Sequence, residues 1–161
     1  MESATASPTD TLAGKYMTFR VSGEEYGLQI LKVRELIGLL DITRVPHAPR
    51  GVRGVVNLRG KIIPVVDLRM HLGLGQENAV ARPVIIVAQL QRADGPVTTG
   101  VIVDQVLEVR NIAAAQIEPP PHFGHEQQTH FILGIAKTEK RVVLLIDIDL
   151  VLADTNLAVA A

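Results

Sequence analysis

The side chains that could do chemistry in this 161-residue chain are five histidines, sixteen lysines and arginines, and seventeen aspartates and glutamates. There is no cysteine, which removes thiolate nucleophiles, zinc–thiolate sites and disulfides together. His122, His125 and His130 cluster around a loop that begins at Pro119-Pro120-Pro121. Three imidazoles could close a metal site if regular structure held them. No helical or strand period runs through this segment, so a polar loop is the expectation and no metal site is assigned. The stretch from Gly54 to Lys61 approaches a phosphate loop. It has one residue too many between its glycines, and Ile62 stands where Ser or Thr would hold magnesium. Ser3, Ser7 and Ser22 are the only serines, and none sits in a strand–serine–helix elbow. Asp147 and Asp149 could share a face, but Asp147 reads better as the cap of a strand end. The sequence therefore assigns no catalytic residue, no cofactor and no enzymatic activity.

One charge asymmetry remains. Arg44, Arg50, Arg53, Arg59, Lys61 and Arg69 are opposed within that stretch by Asp67 alone. Three uses are open to it: a solvated face, a nucleic-acid patch, or a docking face for an acidic partner. The stretch carries no aromatic for base stacking, and the whole chain has a net charge of -1, so nucleic acid is the weaker reading. Charges on a docking face would set register and encounter rate more than affinity.

The elements that must position these groups are short strands. Hydrophobic residues make up 47% of the chain, enough for a packed core, and aromatics only 3%, so that core must be Val, Ile and Leu. Residues 1–14 are small and polar and read as a flexible tail, without the basic start and apolar centre of a signal peptide. Met17, Phe19 and Val21 alternate with polar residues, Ser22-Gly23-Glu24 supplies a turn, and Tyr26, Leu28 and Ile30 alternate again: a hairpin. Ile30, Val33, Leu36 and Ile37 are spaced three and four apart, which suggests one or two helical turns. An exposed connection with Pro46, Pro49 and Gly51 follows. Two strands then meet at a tight turn over 57–60, where Gly60 can take positive φ and Asn57 can bond nearby backbone. Pro64 places its strand at an edge or a bulge. A short helical turn is expected over 68–72, and 73–81 reads as a connection between halves.

Further strands are expected over 84–90, 99–103 and 106–112, then a last hairpin over 131–136 and 142–146. A short helix over 147–153 and a tail over 153–161 close the chain. The apolar runs 84–88 and 142–146 fall well short of the ~20 residues that span a bilayer. Many short strands with regular turns indicate an all-β barrel or sandwich in two parts, with approximate subdomains 15–72 and 82–152 that could be intertwined.

The contiguous run Asn57-Leu58-Arg59-Gly60, an apolar stretch around Pro64, then Asp67-Leu68-Arg69 resembles the signature of CheW-like domains. Tyr26-Gly27-Leu28 with the following 30–35, Gly100 to Asp104, Gln116-Ile117-Glu118-Pro119 and the closing strand over 142–147 agree in order and spacing. The resemblance covers about 15–152. It implies two packed five-stranded SH3-like β-barrels with short helical turns. It also implies a non-catalytic, cytoplasmic adaptor, recruited to membrane receptor arrays through its partners. Those partners are the cytoplasmic tip of chemoreceptors (methyl-accepting chemotaxis proteins) and the regulatory domain of the histidine kinase CheA, with no nucleic acid and no membrane insertion. The same domain occurs within larger kinase and receiver proteins, and the short length favours a standalone adaptor. An adaptor of another chemosensory pathway, serving pilus motility or gene regulation, is the alternative. Carried over by residue, Arg59 and its acidic partner Glu35 mark the receptor surface. Val33, Val84, Val106 and Val109 match apolar positions near it. The histidine-rich loop and Pro46-His47-Ala48-Pro49 belong to no pattern of the family.

Overall fold

The computed structural model describes residues 10–38, 41–74, 83–120, 130–155 and 157. His122 and His125 lie outside these residues. Eleven strands fall among those described. They are β1 (Gly14–Val21), β2 (Glu24–Gln29), β3 (Val33–Gly38), β4 (Val52–Leu58), β5 (Lys61–Asp67), β6 (Val84–Arg92), β7 (Gly95–Val103), β8 (Gln105–Ile112), β9 (Ile117–Glu118), β10 (Ile132–Lys137) and β11 (Val142–Ile146). Two single-turn helices, α1 (Leu68–His71) and α2 (Ile148–Val151), follow β5 and β11.

The strands form two sheets, ordered β8-β1-β2-β11-β10-β9 and β3-β6-β7-β5-β4. The first sheet takes its strands from both ends of the chain and the second from the middle. The sheets do not follow chain order: β1 and β2 sit with β8 to β11, while β3, β4 and β5 sit with β6 and β7. Each sheet contains one parallel pair, β2 with β11 and β5 with β7.

Apolar alternation sends side chains to three places. Tyr16, Ile112, Ile117, Ala136, Val143 and Leu145 fill the interior of the first sheet. Val56, Ile63, Val65, Ile85, Val87 and Ile102 fill the second. A larger cluster, with Phe19, Tyr26 and Leu28 from one sheet and Leu68, Ile86 and Val101 from the other, forms the seam between them. A strand buried on both faces reads as a continuous apolar run, which is why Val84 to Ala88 shows no alternation.

Closure of the second sheet depends on residues beyond β3. Thr43 and Val55 exchange backbone hydrogen bonds of 2.9 Å in both directions, joining the chain that leaves β3 to the outer side of β4. Gly54 makes this approach possible. Its φ is +145°, and a Cβ there would stand 2.1 Å from the Thr43 carbonyl oxygen. The bridge gives the outer side of β4 a backbone partner at Val55.

Four expectations need correction. Only Ile30–Lys32 is helical, as a 3₁₀ turn, and Val33, Leu36 and Ile37 belong to β3. The spacing of three and four arose from a strand with a bulge at Arg34, since Val33 pairs with Ala88 and Glu35 with Val87. The strand of Pro64 is interior, not an edge. Val55, its partner on β4, spends both backbone groups on Thr43, so the missing Pro64 N–H breaks no bond to β4. The parallel pairing to β7 begins one residue later, at Val65. The N-terminal tail ends early: Asp10–Leu12 form a 3₁₀ turn, and the Leu12 carbonyl accepts from the Tyr16 hydroxyl at 2.6 Å. The C-terminal tail is also docked in part, with Leu157 buried in the seam cluster.

Candidate functional site

Arg59 and Gly60 are the two residues of the β4–β5 hairpin loop, with φ of 53° and 88°. Two successive residues at positive φ define the turn whose twist matches flanking strands. Asn57 supports it, accepting the Gly60 N–H at 2.8 Å on its side-chain oxygen. A non-glycine residue in this region costs about 1–2 kcal/mol, so Arg59 holds a strained backbone position.

That position aims its guanidinium at Glu35 of β3. Arg59 Nη1 donates to Glu35 Oε1 at 3.0 Å, and Nη2 donates to Oε2. β3 and β4 are the two outer strands of their sheet, so this two-pronged pair spans the same closure that Thr43 and Val55 make with backbone. Hydrogen bonding to Arg59 is the main cause that holds the Glu35 carboxyl below its ordinary range, and the same pairing pushes Arg59 up. Arg59 is 69% exposed, so the pair is wet and available to a partner, and it adds little to stability.

The apolar candidates stand elsewhere. Val33, Val84 and Val106 are half-buried and pack against the seam cluster, the first two from the second sheet and the third from the first. Val109, on the edge strand β8, is 49% exposed. Val33 and Glu35 follow one another closely on β3 but face opposite sides. Val33 pairs with Ala88 of the seam cluster and Glu35 with Val87 of the barrel interior. The structure therefore brings Arg59 and Glu35 into contact and gathers three valines along the seam, as two adjacent sets. His130, the one described member of the histidine cluster, is exposed and packs edge-on to Phe131.

A buried network was missed by sequence reasoning. Arg69 Nη2 and Nε donate to Asp104 Oδ1 at 2.5 and 3.2 Å, with both side chains nearly buried. The other Asp104 oxygen accepts the Ser22 N–H at 2.8 Å. Asp67 accepts the Arg69 N–H at the start of α1 and an Arg53 guanidinium contact at 3.2 Å. Asp104 thus ties the second sheet, through Arg69, to the β1–β2 turn of the first. A charge set against an apolar run, as in Leu68-Arg69 and Val103-Asp104, was the available signal: such a residue must be paired to be buried.

The fold is that of a two-sheet β protein, with an exposed polar turn and an apolar seam between the sheets. The CheW-like domain profile matches residues 15–156. A probable chemotaxis protein CheW of Rhizobium etli is 34% identical over 140 residues, covering 87% of this chain and 88% of that protein. The chemotaxis protein CheW of Klebsiella aerogenes is 33% identical over 149 residues, covering 92% and 87%. The crystal structure of the scaffolding protein TtCheW from Thermoanaerobacter tengcongensis superposes with a TM-score of 0.74 at 35% identity, covering 86% of this chain and 92% of that one. The chain belongs to the CheW family of chemotaxis coupling adaptors, and its two sheets are the family's two SH3-like barrels.

Proposed function

We propose that this chain couples the cytoplasmic tip of chemoreceptors to the histidine kinase CheA by binding both, and catalyses no reaction itself. It works in the cytoplasm and reaches the membrane through its receptor partner. Receptor recognition uses Arg59 and Glu35 for register and Val33, Val84, Val106 and Val109 for apolar contact with a helix face. The observation that carries this reading is the strained turn. The chain holds Arg59 at positive φ and aims its exposed guanidinium across the barrel closure, an arrangement that contributes little to folding. Charged side chains near the strand ends have structural work: Arg69 and Asp104 pair with each other, and Asp147 caps α2 by accepting two backbone N–H groups.

The test is co-purification of the chain with CheA and with a receptor cytoplasmic fragment. Arg59→Asn is a better variant than Arg59→Ala, because Asn tolerates the left-handed turn and removes only the guanidinium. Wild type should hold both partners. The variant should lose the receptor, keep the kinase and melt as wild type does. A wild-type chain that retains neither partner would overturn the coupling role, and a variant that binds the receptor normally would remove Arg59 from the site.

A further inference from the structure

On the first barrel, residues of β8, of the 3₁₀ turn before β9 and of the β10–β11 turn line an open cavity of about 410 Å³. It is lined by Arg110, Gln116, Thr138, Glu139, Lys140 and Arg141. Three cations face one carboxylate in a chain whose net charge is -1. These cations are incompletely matched from within. Arg110 Nε is buried with no hydrogen-bond acceptor, and the nearest carboxylate oxygen, on Glu108, stands 3.6 Å away. Lys140 has no ion-pair partner among the described residues. Arg141 donates to Glu25 through Nη1 alone, at 3.0 Å. Thr138 closes the turn by donating its N–H and hydroxyl to the Arg141 carbonyl, at 2.9 and 3.2 Å. The bonded turn thus carries Lys140 and Arg141, Arg110 of β8 lines the same cavity, and the buried Nε of Arg110, with no hydrogen-bond acceptor, calls for a partner.

We propose that this cavity is an oxyanion-binding site, taking a phosphate or carboxylate group between Arg110, Lys140 and Arg141. Charge-assisted hydrogen bonds from arginine forks suit a flat or tetrahedral oxyanion, and Glu139 at the rim limits the affinity.

The experiment titrates isotopically labelled protein with inorganic phosphate at low ionic strength, against sodium chloride of equal ionic strength, and follows amide shifts. Saturable shifts confined to 138–141 and 110 are expected. The double variant Arg110→Gln with Lys140→Gln should weaken binding about tenfold or more. Glu139→Gln should tighten it, a gain that damage to the fold could not produce. A parallel titration with succinate separates the sources: preference for phosphate assigns a phosphoryl group, preference for succinate a carboxylate, and equal binding a site that takes either oxyanion. Shifts no larger than those with chloride, or unchanged in the double variant, would overturn the proposal.

Discussion

Two ion pairs in this molecule have opposite characters, and burial decides which is which. Arg59–Glu35 is exposed, so water competes for both partners, the pair adds little to stability, and the role proposed for it is recognition. Glu35 titrates below its ordinary value of 4.5 because Arg59 bonds its charged form. A carboxylate of lowered pKa contributes fully above the unfolded value and loses that contribution as pH falls through the folded one. The pair should therefore persist from neutral pH down past 4.5. Its side-chain titration by NMR should move up in Arg59→Asn, and an unmoved midpoint would mean the pair does not form in solution. Arg69–Asp104 is buried, so removing one partner strands the other. Arg69→Ala should cost about 3–5 kcal/mol in denaturant unfolding. Arg69→Met together with Asp104→Leu should recover most of that loss, because neither charge is then left alone.

At the scale of elements, the second barrel turns on how β4 is held on each side. Its β5 side is an ordinary hairpin whose turn residues announce themselves. Its other side depends on Thr43 reaching Val55 past Gly54. A methyl at residue 54 would overlap the Thr43 carbonyl and sit on a backbone of positive φ. Gly54→Ala should lose on the order of 3 kcal/mol, read as a lower denaturant midpoint. It should also weaken receptor binding, since β3 and β4 carry Glu35 and lead into Arg59. A fully stable Gly54→Ala protein would show that the closure is dispensable.

Across the whole molecule, the seam packs the two barrels against each other. Its side chains come from both sheets and from the C-terminal segment. That segment acts as a strap. Asp149 of α2 accepts from Lys32 Nζ at 2.5 Å and from the Gln91 N–H at 2.9 Å. The Arg92 guanidinium donates to the Leu152 carbonyl at 2.7 Å, and His71 meets Thr155 at 3.0 Å. Leu68 is fully buried in the seam, so Leu68→Ala should cost about 2–5 kcal/mol. Unfolding should remain a single transition in which fluorescence and circular dichroism coincide. Two separated transitions would show that the barrels fold independently.

The local facts are legible in the residues: most strands, the Asn57 to Gly60 turn, both helical turns and the all-β class. Each follows from a period or a turn residue that acts within a few positions. It also carried the family signature, and hence Arg59 with Glu35. Which strands are neighbours is settled at longer range, by the packing of the whole chain. Alternation says which face is buried but not what covers it, so the interleaving of β1 and β2 with β8 to β11 left no local mark. The same limit explains the misread stretch at Val33, where a bulge imitated a helical period, and Pro64, whose interior place depends on Thr43 occupying Val55. It explains the buried charges too. Arg69 and Asp104 are thirty-five residues apart, and their pairing exists only because the parallel β5–β7 ladder brings the ends of those strands side by side.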